Sequence, residues 1–254
     1  IHNKDGKKKL VFYFSYNYPE QKLTWLEEQK EDVKYPDWAS FSPDGKTVVY
    51  AKDLNLYRMT RADYEKLKKD ENDSTVVDIQ LTTFGVKDFG FGQPYSLLNT
   101  DTLCNGKRKR VWGIVWSPDS KYFAVTTSDE RKVKDLWVIN SMASPRPTLE
   151  SYKYQMPGEM EAPIEHLYLF NMEDNSYKEI KTDAFKNQTI NLARKPRLQK
   201  QRDAHEVSTE WLGDTNHFYL TRSSRDLHRI DICSYTLGED SIRPLIEERM
   251  NTYQ

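Results

Sequence analysis

Apolar and polar residues alternate in short stretches along the chain, the period-two pattern of strands with one buried face. Leu10–Tyr16 and Lys22–Trp25, joined across Tyr18-Pro-Glu, read as an outer hairpin with no strands before it, so the chain is expected to open partway through a repeated unit. The alternating runs Asp53–Tyr57, Asp135–Asn140, His166–Phe170 and Asp226–Ile230 read as third strands of successive units. Val76–Leu81, Tyr177–Ile180 and Ser241–Glu247 are the expected fourth strands.

A repeat ties these strands into units. Trp38-Ala-Ser-Phe-Ser-Pro-Asp-Gly-Lys-Thr-Val-Val-Tyr50 recurs as Trp112-Gly-Ile-Val-Trp-Ser-Pro-Asp-Ser-Lys-Tyr-Phe-Ala-Val125. In both, an aromatic residue (Phe41 or Trp116) ends one strand, a Ser-Pro-Asp turn follows, and an alternating strand begins. Pro43 and Pro118 preset φ at the first central turn position, and Gly45 or Ser120 closes the turn. A degraded third copy runs from Glu210 to Leu220, with Trp211 as the aromatic residue and Gly213-Asp214 in the turn. Four short strands recurring with one hairpin signature predict an all-β fold, a β-propeller of four-stranded antiparallel blades, incomplete, with about five blades. A β-sandwich of equal strand count would not repeat the same turn before the second strand of each unit. Residues 1–254 are therefore read as one partial propeller.

Three irregular insertions interrupt the pattern. Within Thr60–Ser74, Arg61–Lys69 has an acidic residue near its start and lysines near its end, as a short helix prefers. Gln93–Arg110 is turn-rich and ends in Lys107-Arg-Lys-Arg110, while Ser141–Ile164 holds four prolines and reads as an extended arm.

Composition adjusts this picture in two ways. Hydrophobic residues are only 37% of the chain, but sixteen Tyr, ten Phe and six Trp supply bulk suited to packing between sheets. The net charge of −1 gives no global field toward nucleic acid or an anionic membrane, so the basic runs Lys107–Arg110 and Arg194–Arg202 read as solvated loops. No run is long and apolar enough for a membrane-spanning helix. The five histidines show no metal-ligand spacing, no Gly-rich phosphate loop occurs, and no cofactor is expected. Cys104 and Cys233 allow one disulfide at most and read as two thiols.

Three segments carry a family resemblance: Trp116-Ser-Pro-Asp-Ser-Lys-Tyr-Phe-Ala-Val125, then Ser128-Asp-Glu-Arg-Lys-Val133, then Pro147-Thr-Leu-Glu-Ser-Tyr-Lys-Tyr-Gln-Met-Pro-Gly158. In that order they resemble the N-terminal propeller region of the dipeptidyl peptidase IV branch of the prolyl oligopeptidase family. The resemblance implies a periplasmic or extracellular serine peptidase in which a propeller covers a C-terminal α/β-hydrolase domain. It also implies removal of dipeptides from short peptides, often after Pro or Ala. That chemistry needs a nucleophilic Ser on a Gly-x-Ser-x-Gly elbow. The motif is absent from this sequence, so the chain alone is expected to be catalytically inert.

The family holds the substrate's free ammonium on a pair of glutamates in the motif Asp-Trp-x-Tyr-Glu-Glu. The corresponding place here reads Asp88-Phe-Gly-Phe-Gly-Gln-Pro94, which keeps an acid and an aromatic residue but not the glutamate pair. The nearest acidic pair is Asp129-Glu130, a candidate ammonium ligand whose alternative is a loop ion pair with Arg131 and Lys132. Tyr152 and Tyr154 are candidates for lining the entrance to a substrate cavity, or for packing the arm against a blade. The expected partner is a peptide substrate, shared with the hydrolase domain. A ring lacking blades leaves open strand edges, so the chain is expected either to self-associate as a homo-oligomer through those edges or to close imperfectly. The rival function is a stand-alone propeller scaffold for protein–protein contact.

Overall fold

The computed structural model describes residues 14–25, 38–92, 105–198 and 206–251. The chain divides into two compact units, residues 1–36 and 37–254. In the first, β1 (Phe14–Asn17) and β2 (Lys22–Trp25) form an antiparallel hairpin. The expected beginning of that hairpin, from Leu10, lies outside the described residues.

The second unit contains three four-stranded antiparallel sheets. The first sheet is β3 (Ser40–Phe41), β4 (Thr47–Lys52), β5 (Asn55–Thr60) and β6 (Ile79–Gln80), in chain order across the sheet. Between β5 and β6 the chain forms α1 (Arg61–Lys69), where the sequence predicts a helix. Thr60 caps it by accepting from the Asp63 N–H, and Tyr64 and Leu67 seat it on the first sheet's core. The second sheet is β7 (Val115–Trp116), β8 (Tyr122–Asp129), β11 (Ile164–Asn171) and β12 (Tyr177–Ile180). The third is β13 (Thr189–Leu192), β14 (His217–Ser223), β15 (Arg229–Thr236) and β16 (Arg243–Arg249).

The middle sheet is packed on both faces. On β8 and β11, Phe123, Val125, Tyr168 and Phe170 pack with Val49, Ala51 and Leu56 of the first sheet. The alternate residues Ala124, Leu167 and Leu169 pack with Phe218, Leu220, Cys233 and Tyr235 of the third. A sheet buried on both faces is what face-to-face stacking of blades produces. Adjacent sheets also touch through backbone: the Trp116 N–H donates to Thr209 O (2.7 Å) and the Trp211 N–H to Trp116 O (2.8 Å). Cys233 is a free, buried thiol whose pKa burial pushes up; Cys104 lies outside the described residues.

The two Ser-Pro-Asp turns are built alike. Ser42 Oγ donates to Asp44 Oδ1 (2.6 Å) and accepts from the Thr47 N–H (3.0 Å). Ser117 Oγ donates to Asp119 Oδ1 (2.6 Å) and accepts from the Tyr122 N–H (2.9 Å). Gly45 and Ser120 take φ of 69° and 64° at the same turn position. Ser117 is buried, so Ser117→Ala leaves two polar groups short of a partner. It is expected to lower stability by about 1–3 kcal/mol, read as a shifted urea midpoint with an unchanged slope.

The degraded copy is also present: Trp211 stacks on Phe218 at 5.0 Å, and the Asp214 carboxylate accepts from the Asn216 and His217 N–H groups ahead of β14. Gly213 has φ of 139°, and a Cβ there would lie 2.2 Å from His217 O, so the turn requires glycine.

Three sequence assignments change. Asp226–Ile230 is not a third strand, since Ser224-Arg-Asp-Leu-His-Arg229 forms another turn of the Ser-x-Asp kind and β15 begins only at Arg229. It joins the second and third strands of its sheet, and Leu227 stands with φ of 58° where glycine stands in the first copy. Asp135–Asn140 is a strand but not part of a blade. As β9 (Asp135–Asn140) it pairs with β10 (Thr148–Lys153) in a separate two-stranded sheet inserted between β8 and β11. The arm from Ser141 is thus partly a regular ladder, because Pro145 and Pro147 fall in the turn between the strands and remove no ladder bond. The described residues accordingly hold three four-stranded sheets, where the strand count of the sequence suggests about five blades.

The basic run Lys107–Arg110 is not simply solvated. Arg108 Nη2 pairs with both carboxylate oxygens of Asp78 (2.9 and 3.0 Å), and its guanidinium lies over the rings of Trp38 and Tyr50. Burial pulls the Asp78 carboxyl upward, but hydrogen bonds from Tyr50 and Arg108 outweigh it and hold the pKa below the usual range.

Candidate functional site

The segment around Asp88 is fixed by its own turn and by close approach to the first two sheets. The Val86 N–H donates to Phe89 O and the Phe89 N–H to Val86 O, closing a turn in which Asp88 takes φ of 64°. Phe91 N–H bonds Leu54 O at 2.9 Å, and a Cβ on Gly90 would sit 2.6 Å from that same oxygen. Gly90, the first glycine of Asp88-Phe-Gly-Phe-Gly, is therefore a packing requirement. Phe89 bridges to Asp129 at the end of β8, and the Glu130 N–H donates to Asp88 O at 2.8 Å.

This arrangement divides the sequence pair Asp129-Glu130. Adjacent strand residues face opposite ways. Asp129 takes a two-point ion pair from Arg131, Nε at 2.8 Å and Nη2 at 2.6 Å, which holds its pKa below the ordinary value. It is occupied by its neighbour, in line with the ion-pair alternative, and Arg131 lies in turn over the Phe89 ring. Glu130 faces Asp88 instead. Burial, then the negative charge of Asp88, push its pKa up, with Ser128 and Lys153 opposing.

Lys153, at the end of β10, completes the cluster. Its ammonium lies 3.6 Å from Asp88 Oδ2 and 3.3 Å from Asp135 Oδ1, and its side chain is only 16% exposed. Two carboxylates from distant segments, Asp88 and Glu130, thus share the neighbourhood of one ammonium. Such charge-assisted contacts are about twice as strong as neutral ones and suit the end of a peptide chain.

Tyr152 and Tyr154 contact each other edge to face at 6.2 Å. Tyr152 precedes Lys153 on β10 and so points to the opposite face of the strand, while Tyr154 follows the strand's end and its N–H donates to Lys134 O. Of the sequence candidates, only Glu130 joins the cluster. Asp88 was legible as the remnant of a motif; Lys153 carries no sequence signal, because its pairing depends on the hairpin insertion. Among the described residues no group of three or more His, Cys, Asp or Glu is placed to hold a metal.

Stacked four-stranded antiparallel sheets of this kind define a β-propeller segment. The chain belongs to the dipeptidyl peptidase IV (DPP IV) N-terminal region family, whose profile matches residues 103–254. Among solved structures, it is similar to dipeptidyl peptidase 4 of Porphyromonas gingivalis, at 16% identity and a TM-score of 0.58 over 94% of this chain. It is also similar to a Bacteroides ovatus protein described as a dipeptidyl aminopeptidase IV, at 16% identity and a TM-score of 0.54 over 98% of this chain. The chain spans 29% of the length of each. No curated protein matches it in sequence.

Proposed function

We propose that this chain is the non-catalytic propeller segment of an exported serine exopeptidase of the dipeptidyl peptidase IV type. It admits short peptides and holds their N-termini for a hydrolase domain outside these 254 residues. The observation that carries the reading is the Asp88–Lys153 ion pair beside the half-buried carboxyl of Glu130, whose N–H donates to Asp88 O, in a family member whose glutamate motif is altered. A peptide amine would compete with Lys153 for Asp88 and take Glu130 as its second carboxylate, and Lys153 retains Asp135 as its other partner.

The test is Glu130→Gln in the intact peptidase. KM for a free-amine dipeptidyl substrate is expected to rise about tenfold or more with kcat little changed, the signature of lost ground-state binding. Because Glu130 must be ionised to hold an ammonium and its pKa is raised, wild-type KM is expected to climb on acidification earlier than an ordinary glutamate would allow. An unchanged KM would remove Glu130 from the amine site.

The scaffold reading is favoured by the inserted hairpin, which leaves Trp137, Ile139 and Leu149 71%, 70% and 66% exposed. A reading frame that continues into a Gly-x-Ser-x-Gly segment, followed by Asp and His, decides for the peptidase.

A further inference from the structure

A recess of about 550 Å³ is lined by residues of β3, by the segment before β7 and by the segment between β13 and β14. Its walls include Ala39–Phe41, Arg110–Ile114, Arg194–Arg197 and Val207–Thr209, the last two stretches lying between β13 and β14. Three arginines line it: Arg110, Arg194 and Arg197. None has a carboxylate partner among the described residues. Arg197 donates to Thr209 Oγ1, and Arg110 lies over the Trp112 ring at 4.8 Å. By contrast, the neighbouring Lys195 is neutralised by Glu210 at 2.9 Å.

Gathering three guanidinium groups with no carboxylate partner among the described residues is unfavourable. The cost registers at Arg197, whose pKa is lowered by burial and by the positive charges of Arg110 and Arg194. The chain as a whole carries a net charge of −1, so this positive recess is local in origin. Guanidinium is the side chain whose planar fork matches a carboxylate at two points. The remaining wall offers the hydroxyls of Ser40, Ser208 and Thr209 as further polar contacts, and Trp112, 58% exposed, as an apolar surface. A recess of this volume is in the range that holds small ligands.

We propose that the recess binds the carboxylate of a short peptide, with Arg194 and Arg197 as its principal ligands and Arg110 beside them. The choice of a peptide as carrier rests on the proposed function; the carboxylate does not. The two sources of that group are a free C-terminus and an acidic side chain.

Isothermal titration with N-acetylated probes takes the amine site out of play and separates the two proposals. The probes are N-acetyl-Ala-Ala with a free C-terminus, N-acetyl-Ala-Glu-Ala-amide with a side-chain carboxylate, and N-acetyl-Ala-Ala-amide with neither. At least one carboxylate probe is expected to bind tenfold or more tightly than the neutral amide, about 1.4 kcal/mol, and to weaken as salt is added. The one that binds better identifies the source. Arg194→Gln, at an exposed position, and Arg197→Gln are each expected to abolish that preference, with far-UV circular dichroism showing the fold retained. Should Arg197→Gln fail to fold, Arg194→Gln combined with Arg110→Gln, both exposed, replaces it. Equal binding of all three probes overturns the proposal. So does a preference that survives the substitutions, or inorganic phosphate binding more tightly than either carboxylate.

Discussion

Asp231→Ala is expected to destabilise the protein by about 3–5 kcal/mol, enough to leave many single domains only marginally folded. Asp231 on β15 stands directly opposite Arg222 on β14, and the two side chains are only 2% and 10% exposed. Arg222 Nε donates to Asp231 Oδ2 at 2.8 Å, and its Nη1 donates to Thr182 O at 3.1 Å. Arg249 Nη2 approaches Oδ1 to 2.8 Å as an ionic contact without hydrogen-bond alignment. Removing the carboxylate strands a buried guanidinium, and that stranded charge is the source of the loss. The double variant Arg222→Met/Asp231→Leu is therefore expected to lose far less than the single one, because it removes both charges at once. Guanidinium chloride denaturation of the three proteins reads the difference. If both variants lose the same amount, the pair is not what holds this part of the sheet.

Trp211→Ala carries an expected loss of similar size, about 3–5 kcal/mol, by a different route. The indole is fully buried, stacks on Phe218, and donates from Nε1 to Asp214 O at 2.6 Å. Its backbone N–H also supplies one of the bonds between the second and third sheets. The truncation thus opens a cavity at a junction between blades and frees a turn carbonyl. Trp211→Phe, which keeps most of the volume and loses the Nε1 donor, is expected to recover more than half of the loss, as monitored by thermal unfolding.

What was legible in the sequence follows the range of the interactions concerned. The Ser-Pro-Asp turns could be read because their bonds run between residues two to five positions apart, from Ser42 to Asp44 and Thr47 and from Ser117 to Asp119 and Tyr122. β12 could be read to the residue because a turn precedes it and its partner strand is adjacent in the chain. The turn at Ser224 escaped because it lacks both Pro and Gly, and a leucine carries its positive φ. The alternation of Asp135–Asn140 correctly signals a strand. Alternation does not name a partner, and here the partner is β10 rather than a blade neighbour.

The site shows the same division. Glu130 was visible as an acid at a strand end, but its separation from Asp129 depends on the facing of β8, and its approach to Asp88 on a backbone bond across the sheet end. Arg110, Arg194 and Arg197 lie in runs that sequence reads as solvated. Only the fold shows that three of their guanidinium groups converge while their lysine neighbour is paired away.

The most direct test of the proposed amine site compares hydrolysis of one dipeptidyl aminocoumarin amide, with and without an acetyl group on its N-terminus, by the full-length protein that carries the proposed hydrolase domain. If Asp88 and Glu130 hold the substrate's ammonium, the free-amine form is cleaved with a kcat/KM at least about a hundredfold higher, and Glu130→Gln erodes most of that ratio. Equal cleavage of the two forms would contradict the account.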